Sequence, residues 1–137
     1  MSTHLTTRTR SIDRVRVVSV GAAAVAFGAA LVVRDPHGDG SWAVCPSTLL
    51  GFYCPGCGSL RGIHDLLTGH VVESVGHNLL LIPALIWLAW WWVAKAGAAW
   101  DRSFTGPPDN ARFAIGLLIV LPVFMVLRNL PGSPLAP

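Results

Sequence analysis

The sequence predicts an all-α integral membrane protein. It has about three transmembrane helices, with a short amphipathic or re-entrant helix carrying a cysteine motif between the first two. Composition is the first observation behind this. Hydrophobic residues make up 53% of the 137 residues and charged residues only 12%, with a mean hydropathy of +0.56. Small domains bury the smallest fraction of their surface, so a soluble chain of this length could not hide that much apolar area. The second observation is that the apolar residues fall into three runs, each near the roughly 20 residues that cross a bilayer. The third is a polar interruption, YCPGCGSLRGIHDLLTGH at residues 53–70, in which cysteine, arginine, histidine and aspartate crowd together.

Residues 1–16 form a basic segment. Arg8, Arg10, Arg14 and Arg16 outnumber a single acid, Asp13, which places the N-terminus in the cytoplasm by the positive-inside rule. Residues 17–33, VVSVGAAAVAFGAALVV, are uncharged and form the first span. A basic start before an apolar run can also be a secretory signal. This run is longer than a usual signal core and reaches Arg34 without a small-x-small cleavage site, so it reads as a retained helix. Residues 34–44, RDPHGDGSWAV, carry turn chemistry and read as an exposed loop. There His37 with Asp35 and Asp39 offers at most a loose cation site.

The second span covers residues 79–100 and the third residues 112–130, with a short basic cytoplasmic loop between them that carries Arg102 and Arg112. Pro83 and Pro122 lie inside these spans, where neighbouring groups can satisfy the freed carbonyls. Trp87, Trp90, Trp91, Trp92 and Trp100 read as lipid-facing bulk and an interfacial belt. Residues 131–137 read as a disordered tail. Residues 17–130 thus form one membrane domain with its cysteine motif on the outer side. Arg34 and Arg128 fall on that side against the charge rule. The net charge of +3 comes from helix flanks, without a basic face interleaved with aromatics, so no nucleic-acid partner is expected.

The loop and short helix at residues 45–70 hold the chemistry. Cys54 and Cys57 form C-P-G-C-G, a turn that can aim two sulfurs at one centre, and Cys45 lies upstream. The spacing suits a zinc-ribbon knuckle and equally a dithiol redox motif. Ser59 is a plausible helix start and Gly69 a stop. On that helix Leu60, Ile63, Leu66 and Leu67 gather on one side, and Arg61, His64, Asp65 and Thr68 on the other. If the polar stripe faces water, Arg61 and Asp65 are an ordinary surface pair. If it faces inward, His64 becomes a fourth metal ligand beside Cys45, Cys54 and Cys57, with Asp65 or Thr68 supporting it. His70 and His77 are weaker candidates, and Asn78 is a cap for the second span.

Cys45-Pro46, Cys54-Pro55-Gly56-Cys57-Gly58, Arg61 and the following HDLLTGH resemble the bacterial small membrane proteins called domain of unknown function 2752. The resemblance covers about residues 43–92. Leu60 stands where that family usually has Thr, and Leu79 follows Asn78 where Pro is common. The resemblance implies fold and membrane location and brings no activity with it. The leading reading is a protein of the bacterial cytoplasmic membrane with a structural cysteine centre, bound to zinc or closed as a disulfide. It would serve as an accessory subunit to a protein partner or as a homo-oligomer within the bilayer. A membrane thiol-disulfide oxidoreductase would instead use Cys54 and an activated Cys57. An oligomeric pore or carrier would use a pocket of Arg61, His64 and Asp65. No reaction class follows from the residues.

Overall fold

The computed structural model describes residues 2–38, 45–108 and 110–136, with side chains described from Ser11 onward. Asp39 of the first loop therefore lies outside the described residues. The described chain is all helical: α1 (Ser2–Val33), α2 (Pro46–Leu49), α3 (Ser59–Leu67), α4 (Val71–His77), α5 (Leu81–Ala99) and α6 (Ala111–Arg128). Three segments are long and apolar enough to cross a membrane: Ser11–Val33, Leu81–Ala99 and Ala111–Arg128. Only 6%, 11% and 11% of these windows are buried within the protein, so their apolar side chains point outward. Surface of that kind is stable against lipid and a liability in water.

Several details differ from the expectation. The first helix does not wait for the apolar run. It starts at Ser2 and carries the arginines as helical residues. A further helix, α4, follows Gly69, because the β-branched stretch Val71-Val72 is too short to announce a helical period. The helix of the second span starts at Leu81, which puts Pro83 in its first turn, where no intrahelical N–H is lost. Pro122 does sit inside α6. Residues after α6 form turns, closed by Ser133 N–H to Leu130 O at 3.1 Å and Ala136 N–H to Ser133 O at 3.3 Å.

The chain divides into two compact units. The first comprises Met1–Phe27 and Leu85–Pro107. There α5 ends in a Schellman motif: Arg102 N–H reaches Gly97 O at 2.9 Å and Asp101 N–H reaches Ala98 O at 3.3 Å. Asp101 takes the left-handed conformation the motif requires, with φ 59°. Arg14 Nε donates to the free Ala99 carbonyl at 2.8 Å, a cation at a helix C-terminus. Two of the tryptophans are tied to backbone carbonyls: Trp92 Nε1 donates to Val17 O at 3.3 Å and Trp90 Nε1 to Thr105 O at 2.8 Å.

The second unit comprises Gly28–Ala84 and Pro108–Pro137 and contains the cysteine motif. Its interior is unusually polar. Beside Leu31, Cys57, Leu81 and Phe124 it buries Asp65, Ser74, Asn78 and Arg128. Helices α3 and α4 pack as a tight hairpin over Gly62. A Cβ there would stand 2.6 Å from Leu81 Cδ2 and 3.1 Å from the Ser74 carbonyl oxygen. Ser74 Oγ donates to the Gly62 carbonyl at 2.7 Å across the same contact.

Candidate metal centre

The cysteine turn is built locally. Cys57 N–H donates to Cys54 O at 3.1 Å and Ser59 N–H to Gly56 O at 3.1 Å. Gly58, at φ 81°, makes the left-handed step that starts α3, a step that costs other residues steric strain. Cys45 precedes α2, whose first residue is Pro46. The Cys45 carbonyl accepts from Thr48 N–H at 3.0 Å and from Thr48 Oγ1 at 2.6 Å.

These two turns bring three free thiols together. Cys54 Sγ lies 3.3 Å from Cys45 Sγ and 3.3 Å from Cys57 Sγ. Ser47 Oγ bridges Cys45 Sγ at 3.1 Å and Cys57 Sγ at 3.3 Å, and the Cys54 amide donates to Cys57 Sγ at 3.2 Å. The three sulfurs lie within 4.8 Å of one another, close enough to hold one metal ion. A zinc ion at about 2.3 Å from each sulfur spaces tetrahedral ligands by about 3.8 Å. The sulfurs therefore need to part by roughly half an ångström to receive it, a small motion for side chains. Softness of the donors suits zinc.

The thiols differ electrostatically. The Ser47 hydroxyl, followed by the bond from Cys57, holds Cys45 down to about 6. Burial pushes Cys57 up to about 11, more than Ser47 can offset. The sequence suggested Cys57 as the activated thiol of a redox pair, from its place before α3. The structure instead makes Cys57 the buried one, 2% exposed, and the thiol with the lowered pKa is Cys45.

Behind the sulfurs, the backbone of the turn is gripped from two other parts of the chain. Arg128, at the end of α6 and 1% exposed, donates through Nη1 to Cys57 O at 3.0 Å and Cys54 O at 3.4 Å. Its Nη2 donates to His77 O at 3.1 Å. Asn78 Nδ2 donates to Pro55 O at 2.8 Å and Ser59 Oγ at 3.0 Å, and its Oδ1 accepts from Leu80 N–H at 3.0 Å. Asn78 thus faces the start of the second span as a cap does, and also holds the cysteine turn. Asn129 pairs with Tyr53 through two bonds of 2.8 Å.

Of the polar stripe of α3, Asp65 turns inward at 7% exposed, Arg61 and His64 are half-buried and Thr68 is exposed, while Leu67 on the apolar side is 53% exposed. The stripe is not one pocket. Arg61 lines the hollow beside Cys45 and Cys57, about 480 Å³ in volume, and its Nε donates to Pro36 O at 3.3 Å. His64, Asp65 and Thr68 line a separate, open hollow of about 400 Å³ with His37, His70 and His77. His64 is set among Asp35, His37 and Asp65, with Nδ1 3.4 Å from Asp65 Oδ1. No histidine nitrogen joins the three-sulfur group among the described residues. The reason is helical geometry. Cys57 lies at the N-terminal entrance to α3, whereas His64 is nearly two turns further along. The Thr68 hydroxyl is spent on the His64 and Asp65 carbonyls at 2.9 and 3.1 Å. Asp35 is held below the usual carboxylate range by the His37 amide and ring. Burial holds His77 below the ordinary imidazole range, against the pull of Asp65.

Sequence reasoning missed Arg128 and Ser47 at the cysteine centre. Arg128 did leave a signal, an arginine closing an apolar run on the side that the sequence reading expects to be outer, where the charge rule discourages one. Ser47 left none.

The model of the family described as "Protein of unknown function (DUF2752)" matches residues 45–92, which include all three cysteines, α3, α4 and most of α5. The resemblance read from the motif is therefore supported over that segment. No curated protein and no solved structure matches the chain.

Proposed function

For a chain whose residues 45–92 belong to this family of unknown function, we propose the role of a zinc-dependent accessory membrane protein. Cys45, Cys54 and Cys57 hold one zinc ion on the outer face of a bacterial cytoplasmic membrane, with the N-terminus in the cytoplasm. The single observation that carries this is the convergence of three thiols within 4.8 Å on a turn whose carbonyls are anchored by Arg128 and Asn78. A loop pinned this firmly is preorganised for a metal, and the metal's binding energy then stabilises the fold. Three sulfurs leave one position of a tetrahedral ion for a group from outside the cluster. The hollow beside Cys45 and Cys57 gives a partner's side chain or water room to reach it. The contact of the sulfurs at 3.3 Å also supports a rival reading in which two of them close a disulfide.

Metal content and free-thiol count of protein purified in mild detergent without reductant test this reading. One cysteine-bound zinc per chain is expected, and that ion is lost in both Cys54→Ser and Cys57→Ser. After chelation, a membrane-impermeant thiol reagent added to intact cells should label these cysteines. Absence of cysteine-bound metal, with two thiols appearing only after reduction, would replace the metal centre with a disulfide. Labelling only after cell lysis would reverse the topology.

A further inference from the structure

A second cluster lies apart from the sulfurs. Asp35 and His37 follow α1, His64 and Asp65 sit on α3, and His77 ends α4. His37 Nδ1 lies 2.8 Å from Asp35 Oδ1, which also accepts the His37 amide at 2.9 Å. A carboxylate so placed keeps the imidazole proton on Nδ1 and leaves Nε2 with a lone pair, the orientation seen behind metal-bound histidines. That Nε2 faces His77 Nε2 at 3.3 Å and Asp65 Oδ1 at 3.4 Å. His77 Nε2 in turn lies 3.2 Å from Asp65 Oδ2.

Asp65 is the telling member. It is more than nine-tenths buried, and its Oδ2 is buried without a hydrogen bond. Buried carboxylate oxygens are ordinarily satisfied by donors or by a cation. Here two imidazole nitrogens and a carboxylate point at one another, and the hydrogen bond between the two Nε2 atoms leaves Asp65 Oδ2 unsatisfied. The spacing fits a cation. Zinc bound at about 2.0–2.2 Å to N and O ligands sets tetrahedral edges of about 3.3–3.5 Å; the two imidazole nitrogens stand 3.3 Å apart, and they lie 3.4 and 3.2 Å from Oδ1 and Oδ2 of Asp65 respectively, so the carboxylate faces the gap with both oxygens.

We propose that His37, Asp65 and His77 form a second metal centre, which takes a borderline divalent cation of the zinc class, with Asp35 orienting the His37 ring. The site is pinned from outside: Arg61 Nε holds the Pro36 carbonyl next to His37, and Arg128 Nη2 holds the His77 carbonyl. His64 borders it, its ring edge-on to His37 with centroids 5.3 Å apart. The adjoining open hollow leaves a fourth position to water or a small ligand.

The centre is independent of the cysteines, so its test removes them. Full-length protein in mild detergent is stripped of metal, its thiols are alkylated, and zinc binding is measured by equilibrium dialysis. One ion per chain is expected. It should be lost in Asp65→Asn and in His77→Gln, and bound at least about tenfold more weakly in Asp35→Asn, the loss typical when a ligand's supporting carboxylate is removed. Binding that survives unchanged in Asp65→Asn and His77→Gln would mean an adventitious ion only and would overturn the proposal. So would the absence of any zinc. Cobalt titration of the unmodified protein guards against damage by alkylation. Two ions should bind, one with thiolate-to-cobalt charge-transfer bands and one without them. A single ion with thiolate bands alone refutes the second centre and leaves the cysteine reading standing.

Discussion

Replacing Arg128 with methionine is the sharpest test of how the cysteine turn is held. Methionine keeps the apolar stem in its slot and removes the guanidinium. Two short bonds go with it, to Cys57 O at 3.0 Å and His77 O at 3.1 Å, along with the longer one to Cys54 O at 3.4 Å. Hydrogen bonds from a charged donor contribute about 1.5–3 kcal/mol each, so the two short ones sum to roughly 3–6 kcal/mol. Part of that is offset, because methionine also removes a buried charge and its desolvation cost. Two of the carbonyls also keep a donor. Cys57 O retains Asn78 Nδ2 at 3.3 Å and Cys54 O retains Cys57 N–H at 3.1 Å. The net loss is therefore about 2–4 kcal/mol, or roughly 30- to 1,000-fold in an equilibrium constant. The assays are thermal unfolding in detergent and zinc affinity at the cysteine centre, and both should fall. Arg128→Lys should recover only part, since one ammonium cannot span three carbonyls as a planar fork does. An Arg128→Met protein with unchanged melting temperature and zinc affinity would refute the reasoning. Arg128 would then merely end a membrane span.

Two further outcomes follow from the packing behind the sites. Gly62→Ala places a methyl 2.6 Å from Leu81 Cδ2, a side chain only 6% exposed, and 3.1 Å from the Ser74 backbone oxygen. It should destabilise the protein by about 1–3 kcal/mol, the usual cost of overpacking; an unchanged thermal melt would mean that α3 and α4 do not approach so closely. Asn78→Ala removes the donor to Pro55 O and Ser59 Oγ, at a cost of about 1–3 kcal/mol. Asn78→Asp should be worse, because it sets a carboxylate oxygen against carbonyl oxygens. Chelator-driven zinc release should be fastest in Asn78→Asp, and the reverse ranking would sink the assigned role of Asn78.

What was legible differs from element to element. The apolar runs announced the three long helices because length and composition alone decide whether a helix suits a bilayer. The α3 stripe was legible as a period, with Leu60 and Ile63 against Arg61, His64 and Asp65. Its direction was not, since a period says nothing about which side meets the protein. The short helix α4 was hidden because seven residues carry too few turns to show a period. His37 and His77 looked unrelated, standing 40 positions apart.

The sequence by itself determined an all-α membrane architecture, the match of residues 45–92 to a family of unknown function, and the cysteines as the place where chemistry concentrates. These are local properties, set by spacing along the chain. Only the tertiary structure decided that Cys45 joins the CPGC turn within reach of one ion, that His64 leaves it for Asp35 and His37, and that Arg128 reaches back across 71 positions to grip Cys57. Each of those depends on side chains brought together by distant segments. A buried donor or acceptor must find its partner wherever the fold places it.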